Sequence, residues 1–385
     1  MRITLFGLFF LAALTIGGAD VQAQCTAPTA ADLAGYLKTH YQSPEEYVVG
    51  KFKDHDVVLL GEMHRIKHDP ELIQKLIPLL HAAGVNALAT EFARAEDQPL
   101  IDSLLGGNNY DEALAQKIAF NQMVTWAYRE YVDIFKAAWE LNHTLLEGAP
   151  RFRILGVNCS PDWSVMQKPE DRDVDSLKRL AWRGCGESNW AQNVLRYVAG
   201  GEKILVYCGM HHAFTRFLQP IVGSDGEFFR FEDERFGRYL YNRLGDRTFM
   251  IALHAPWLQV SYEGEYKRPA GGLMDSAVAL IDGQFRPFGV DVVGTPLESI
   301  PDSVCVYANG HRPFRLGALC DGYIIQKRFA DCETVTAIPD FINDTNLMQA
   351  QQQCASPSFR KSSVEEFRKS IEMELARWKL RLNRM

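Results

Sequence analysis

Glu62 and His64 stand two residues apart, directly after the apolar run Val57-Val58-Leu59-Leu60-Gly61. If the chain stays extended there, side chains two apart project from one side. A carboxylate and an imidazole then share one small space at the carboxyl end of a strand. Open parallel α/β sheets hold their ligands at such ends. Glu91 closes a second apolar run, and His211-His212 follow another, Ile204 to Cys208. Parallel strands would bring these ends to one rim. The expected catalytic set is Glu62, His64, Glu91 and His212. The same four would serve as ligands of a divalent ion such as Zn²⁺ or Mn²⁺, with a position left open for water. Such an ion lowers the pKa of its water and polarises a carbonyl. Without metal, His64 is a general base and Glu91 the group that orients or charges it. Either way the chemistry is hydrolysis of an ester or amide bond in a small molecule or peptide.

Other residues stand near these ends. Arg94 lies just past Glu91 and suits a substrate carboxylate or oxyanion, or the commoner role of a surface ion pair. Tyr128 and Arg129 open a long helix after Trp126 and would line the mouth. Asn158 ends a strand and is placed to hydrogen-bond a ligand, with His211 beside His212. His254 ends a further strand and is a reserve candidate, while His68 and His81 read as solvated. No G-x-S-x-G occurs, which disfavours a serine hydrolase of the α/β type.

The elements that must position these groups alternate strand and helix. Strands are expected at Val57–Leu60, Val85–Thr90, Phe152–Val157, Lys203–Cys208 and Arg247–Leu253, with shorter candidates at Ala277–Ile281 and Phe288–Val293. Asp69-Pro70-Glu71 reads as an N-cap, a proline at the first helical position and an acid in the first turn. The fold class is α/β, a central, mostly parallel sheet flanked by helices. At the C-terminus, Ser363-x-x-Glu366 is a capping box. Val364, Phe367, Ile371, Leu375, Trp378 and Leu382 step by three and four, so one stripe packs on the body.

The chain has 385 residues, 47% hydrophobic and 23% charged, with net charge −7. That is a globular composition, and without a basic patch it disfavours nucleic-acid partners. Arg2, an apolar run from Ile3 to Ile16 and Val21-Gln22-Ala23 read as a secretory signal peptide cut after Ala23. Export to the periplasm or medium follows, with no later run long enough to span a membrane. All eight cysteines survive that cut, which favours disulfides, and the four from Cys305 to Cys354 are expected to staple the C-terminal region. The organisation is then signal peptide 1–23, helical lead-in 24–55, α/β domain 56–300 and extension 301–385. Oligomeric state is open.

Val57 to His64 resembles the first motif of the haem-binding uptake and Tiki superfamily, an apolar strand followed by G-E-x-H. Ala87 to Phe92, Leu155-Gly156-Val157-Asn158 and Ile204 to His212 are similar to its later strand-end motifs, the last a strand followed by G-x-x-H. The resemblance covers roughly residues 56 to 255 and makes His212, not His211, the functional histidine. It groups ChaN-like haem-binding proteins of iron uptake, Tiki-type metal-dependent peptidases, and erythromycin esterases that use a histidine-activated water. Here G-E-x-H stands where the esterases have G-E-x-x-H. The haem alternative implies His64, His212 or Tyr128 as axial ligand, and a non-catalytic binding module is the third possibility.

Overall fold

The computed structural model describes residues 27–262, 264–281 and 285–385. The expected signal peptide and Cys25 lie outside them. Four strands carry the site: β1 (Val57–Glu62), β2 (Ala87–Arg94), β3 (Arg153–Asn158) and β4 (Ile204–Gly209). They belong to a seven-stranded sheet ordered 288–291, 322–325, 248–253, β1, β4, β2, β3. All neighbours are parallel except 288–291, which runs antiparallel to 322–325 at one edge. The strand 322–325 comes from beyond residue 300, so the sheet draws on the C-terminal part of the chain.

β1 is buried along its whole length, as a central strand covered on both faces must be. Val58 and Leu60 enter one core layer, with Leu205, Tyr207 and Tyr131. Val57 and Leu59 enter the opposite layer, with Ile204 and Val206. Glu62 continues the parity of Val58 and Leu60, so its carboxylate emerges on the tyrosine-bearing side.

The helix after β1 spans His68–Ala82 and has no side-chain cap at Lys67. Asp69 is therefore not the N-cap that its sequence context suggested. It lies inside the first turn, fully buried, and its Oδ1 accepts from Gln326 Nε2 at 2.8 Å. His68 is likewise buried, not solvated. Burial, with Lys327 and His254 nearby, pushes its pKa down to about 3. The segment read as a strand at Ala277–Ile281 is mostly helix, Leu273–Ala279. Met274, Ala277 and Val278 are the buried residues of that helix, at three- and four-residue spacing.

The C-terminal helix is Val364–Leu382, with the Ser363/Glu366 capping box formed and Phe367, Ile371, Trp378 and Leu382 buried. The disulfide among the described residues is Cys159–Cys185. Cys305, Cys320, Cys332 and Cys354 are free thiols, so the C-terminal region is held by packing instead of disulfides. No helix among the described residues is long and apolar enough to cross a membrane.

Candidate active site

Three adjacent strands, β1, β4 and β2, deliver the site at their carboxyl ends. Glu62 is the last residue of β1 and pairs in register with Gly209 of β4. Flanking strands lie about 10 Å apart across the one between them, so groups from β1 and β2 must meet over β4. Gly209 permits this. A Cβ there would stand 2.8 Å from His64 Cε1 and 3.2 Å from Glu91 Oε1. The Gly209 amide donates to Glu91 Oε1 at 2.8 Å. β2 loses register with β3 between Thr90 and Arg94. Such irregularities re-aim side chains next to sites, and Glu91 lies within this one.

The chain of contacts runs through five residues. Glu62 Oε1 is 2.7 Å from His64 Nδ1. His64 Nε2 is 3.6 Å from Glu91 Oε1, and Glu91 Oε2 is 3.2 Å from His212 Nε2. His212 Nδ1 lies 3.0 Å from Glu187 Oε2. Two glutamate–histidine pairs thus face one central carboxylate. Glu62 is fixed further by Tyr131, whose hydroxyl donates at 2.7 Å, and by the Tyr207 hydroxyl. Glu187 accepts from Arg235 Nη1 at 2.8 Å and from the Phe236 amide at 2.7 Å. Burial opposes charge on His212, but Glu91 and Glu187 outweigh it and hold its pKa above the ordinary histidine value. Burial also opposes charge on Glu187, yet His212 and Arg235 keep its carboxyl below the usual range.

The His64 ring is the more exposed of the two histidines, 35% against 27% for His212. The edge-on rings of Trp126 and Phe92 border it. Its loop is held at Arg65, which has φ 74, a left-handed conformation uncommon outside glycine. The Arg65 amide donates to Tyr131 Oη at 3.2 Å, and its Nε to Tyr128 Oη at 3.0 Å. A segment of the C-terminal extension closes over this loop. Val335 N donates to Arg65 O at 3.1 Å, and Ile338 N to Ala127 O at 2.8 Å.

The structure brings Glu62, His64, Glu91 and His212 together, as the strand-end reading requires. It does not assemble them as four metal ligands. Both Glu62 oxygens are engaged by tyrosines and His64, and Glu91 holds the Gly209 amide. Among the described residues no group of three or more His, Cys, Asp or Glu is disposed to hold a metal ion.

The residues expected to bind substrate have other work. Arg94 grips both oxygens of Asp97, at 2.7 Å each. Arg129 pairs with Glu112. Asn158 donates to Glu91 O at 3.0 Å, so it supports the site from behind. His211 points away, its Nε2 3.0 Å from Tyr307 Oη. Burial, with Arg235 and His212 near, pushes its pKa down to about 3. His254 stands 2.8 Å from Tyr323 Oη, in a separate buried cluster. Tyr128 is buried, its hydroxyl holding Arg65. Glu187, Tyr131 and Tyr207 were not singled out by sequence. Tyr207 was within reach of the strand pattern, two residues before Gly209. Glu187 follows a polar insert and carries no local signal.

Residues 48–182 match the family described as haem-binding uptake, Tiki superfamily, ChaN. The match bears out the resemblance over the first three strand-end motifs; Ile204 to His212 lies beyond it. No curated protein matches the chain. Among solved structures, a Bacillus cereus protein is 11% identical, covering 78% of this chain and 97% of its own, with TM-score 0.47. An erythromycin esterase mutant in its open conformation is also 11% identical, covering 77% and 94%, with TM-score 0.47. ChaN of Campylobacter jejuni, with cofacially bound haem, is 13% identical, covering 58% and 91%, with TM-score 0.36.

The family description names haem, so the axial candidates matter. Tyr128 is enclosed, and His212 is held between two carboxylates. His64 keeps an accessible ring whose Nε2 is 3.6 Å from the nearest carboxylate oxygen.

Proposed function

We propose that the chain is an exported hydrolase that cleaves an ester or amide bond with a histidine-activated water. The observation that carries this reading is the paired arrangement around Glu91, in which each histidine has one nitrogen on its own glutamate. With Nδ1–H turned to Glu62, His64 presents Nε2 as the basic nitrogen. It takes a proton from water as the water oxygen attacks the carbonyl carbon. The tetrahedral oxyanion collapses, the bond from carbon to the leaving oxygen or nitrogen breaks, and His64 returns the proton to the leaving group. His212, whose charged form Glu91 and Glu187 favour, fixes the central carboxylate and, when protonated, sets positive charge beside the developing oxyanion. The Cys159–Cys185 disulfide supports export, because disulfides persist in oxidising compartments.

The test is a screen of ester and peptide substrates with EDTA-treated protein. Turnover that survives chelation supports the metal-free mechanism. Turnover lost to EDTA and restored by Zn²⁺ or Mn²⁺ would return the site to the metal-assisted form expected from sequence. The family match favours a second reading, non-covalent haem on His64. A saturable Soret shift on hemin titration, lost in His64→Ala, with no hydrolysis of any substrate, would replace the first reading with this one. An N-terminus at Gln24 by intact mass after expression in an exporting host would support export.

A further inference from the structure

The insert between β3 and the helix Glu187–Ala199 leaves the body at Asn158 and returns at Glu187. Both residues support the site. Asn158 carries the Glu91 backbone through its Nδ2, and Glu187 carries His212. The disulfide Cys159–Cys185 closes the insert at its base, 26 residues apart. Its half-cystines are one residue from Asn158 and two from Glu187. The Cys159 amide donates to Asn158 Oδ1 at 2.8 Å, so the half-cystine's backbone sets the turn of the Asn158 amide. On the other side, Asn189 Nδ2 donates to Gly184 O at 2.8 Å and Asn189 N to Gly186 O at 2.9 Å. These bonds tie the loop around Cys185 to the first turn that carries Glu187.

We infer that the Cys159–Cys185 disulfide is a positioning brace of the active site, locking the support of Glu91 to the support of His212. This rests on the hydrolase reading for its kinetic arm only. The brace bears on two contacts, Asn158 Nδ2 to Glu91 O at 3.0 Å and His212 Nδ1 to Glu187 Oε2 at 3.0 Å, which flank the 3.2 Å approach of Glu91 Oε2 to His212 Nε2. A further backbone link between the arms of the insert is Asp162 N to Ala181 O at 2.8 Å. A dithiol reductant breaks the S–S bond. It gives two electrons and two protons, leaving two thiols and itself becoming a cyclic disulfide. The Asp162–Ala181 bond then remains as a link between the arms, while Asn158 and Glu187 lose the covalent tie that fixes their spacing, and the supports of Glu91 and His212 loosen.

The experiment uses the folded, oxidised chain. It is reduced with dithiothreitol and alkylated, with the state of each cysteine read by peptide mass. Two readouts are taken, kcat and KM on para-nitrophenyl acetate and the His212 imidazole signals by NMR, assigned from their loss in His212→Gln. Reduction should lower kcat about tenfold or more, as small misplacements of catalytic groups do, with KM within about twofold. It should also move the His212 titration midpoint toward the ordinary histidine value. The double variant Cys159→Ala, Cys185→Ala should match the reduced protein and show no further response to reductant, which assigns the effect to this pair and not to the free thiols. If the ester is not turned over by oxidised protein, the hydrolase reading fails on that probe and NMR alone decides the brace. Unmoved His212 signals on full reduction of this disulfide would overturn it.

Discussion

Glu62 Oε1 lies 2.7 Å from His64 Nδ1, and this bond decides which ring nitrogen can act on substrate. The carboxylate is buried, so without partners it would be costly to keep charged. The hydroxyls of Tyr131 and Tyr207 supply the partners. Glu62 is thus a fixed acceptor, and the proton on Nδ1 leaves the lone pair on Nε2.

Glu62→Gln keeps the shape but can present an amide N–H to Nδ1, favouring the wrong tautomer. We expect kcat to fall by about a hundredfold or more, the range seen when general-base catalysis is lost. KM should stay near wild type. Steady-state kinetics beside a thermal melt would check this; an unchanged kcat would remove Glu62 from the mechanism.

Gly209→Ala places a methyl group 2.8 Å from His64 Cε1 and 3.2 Å from Glu91 Oε1. Backbone strain is not the cause of loss here, because Gly209 has φ −56. The His64 ring should be pushed off Glu91. Activity should drop at least about tenfold, with a melt that stays cooperative. Wild-type turnover in this variant would show that the close approach over β4 is not needed.

The strands were legible because four apolar runs alternate with helical patterns, and β1, β4 and β2 end in chemistry-bearing residues. Parallel pairing alone puts Glu62, His64, Glu91 and His212 on one rim. What was hidden depends on tertiary contacts. Asp69-Pro70-Glu71 has the form of a helix start, but Gln326, 257 positions away, takes the Asp69 carboxylate into the core. Arg94 had a local partner, Asp97, that sequence did not reveal as bidentate. Glu187 acquires its role only when the insert returns to the body. Cysteine pairing depends on which thiols the fold brings together, and it was Cys159 with Cys185 instead of any of the four from Cys305 to Cys354.

Glu187→Gln removes one of the two carboxylates that favour the charged form of His212. The pKa of His212 is raised in the folded chain, so this cluster adds stability that is fully present below the unfolded histidine value of about 6.5. It is lost as pH rises through the folded value. In Glu187→Gln the NMR midpoint of His212 should fall, and the stability gap to wild type should be widest at mildly acid pH. A midpoint equal to wild type would mean that Glu91 alone sets the charge.

His68 carries the opposite sign. Its folded pKa is lowered to about 3, so the unfolded chain binds the proton first as pH falls. At pH 5 this costs about 2 kcal/mol of stability. It grows until pH approaches the folded value. His68→Gln cannot take up that proton, so its denaturant midpoint should decline less than wild type between neutral pH and pH 5. Parallel declines in the two proteins would show that His68 is not the group responsible.

The measurement closest to the central claim is kcat/KM of His64→Gln against wild type, on one hydrolysed ester, in EDTA. The account predicts a loss of about a hundred- to a thousandfold, with an unchanged melting temperature and no recovery on adding Zn²⁺. A rate within about threefold of wild type, a difference too small for a lost general base, would contradict it. So would activity that returns only with the metal.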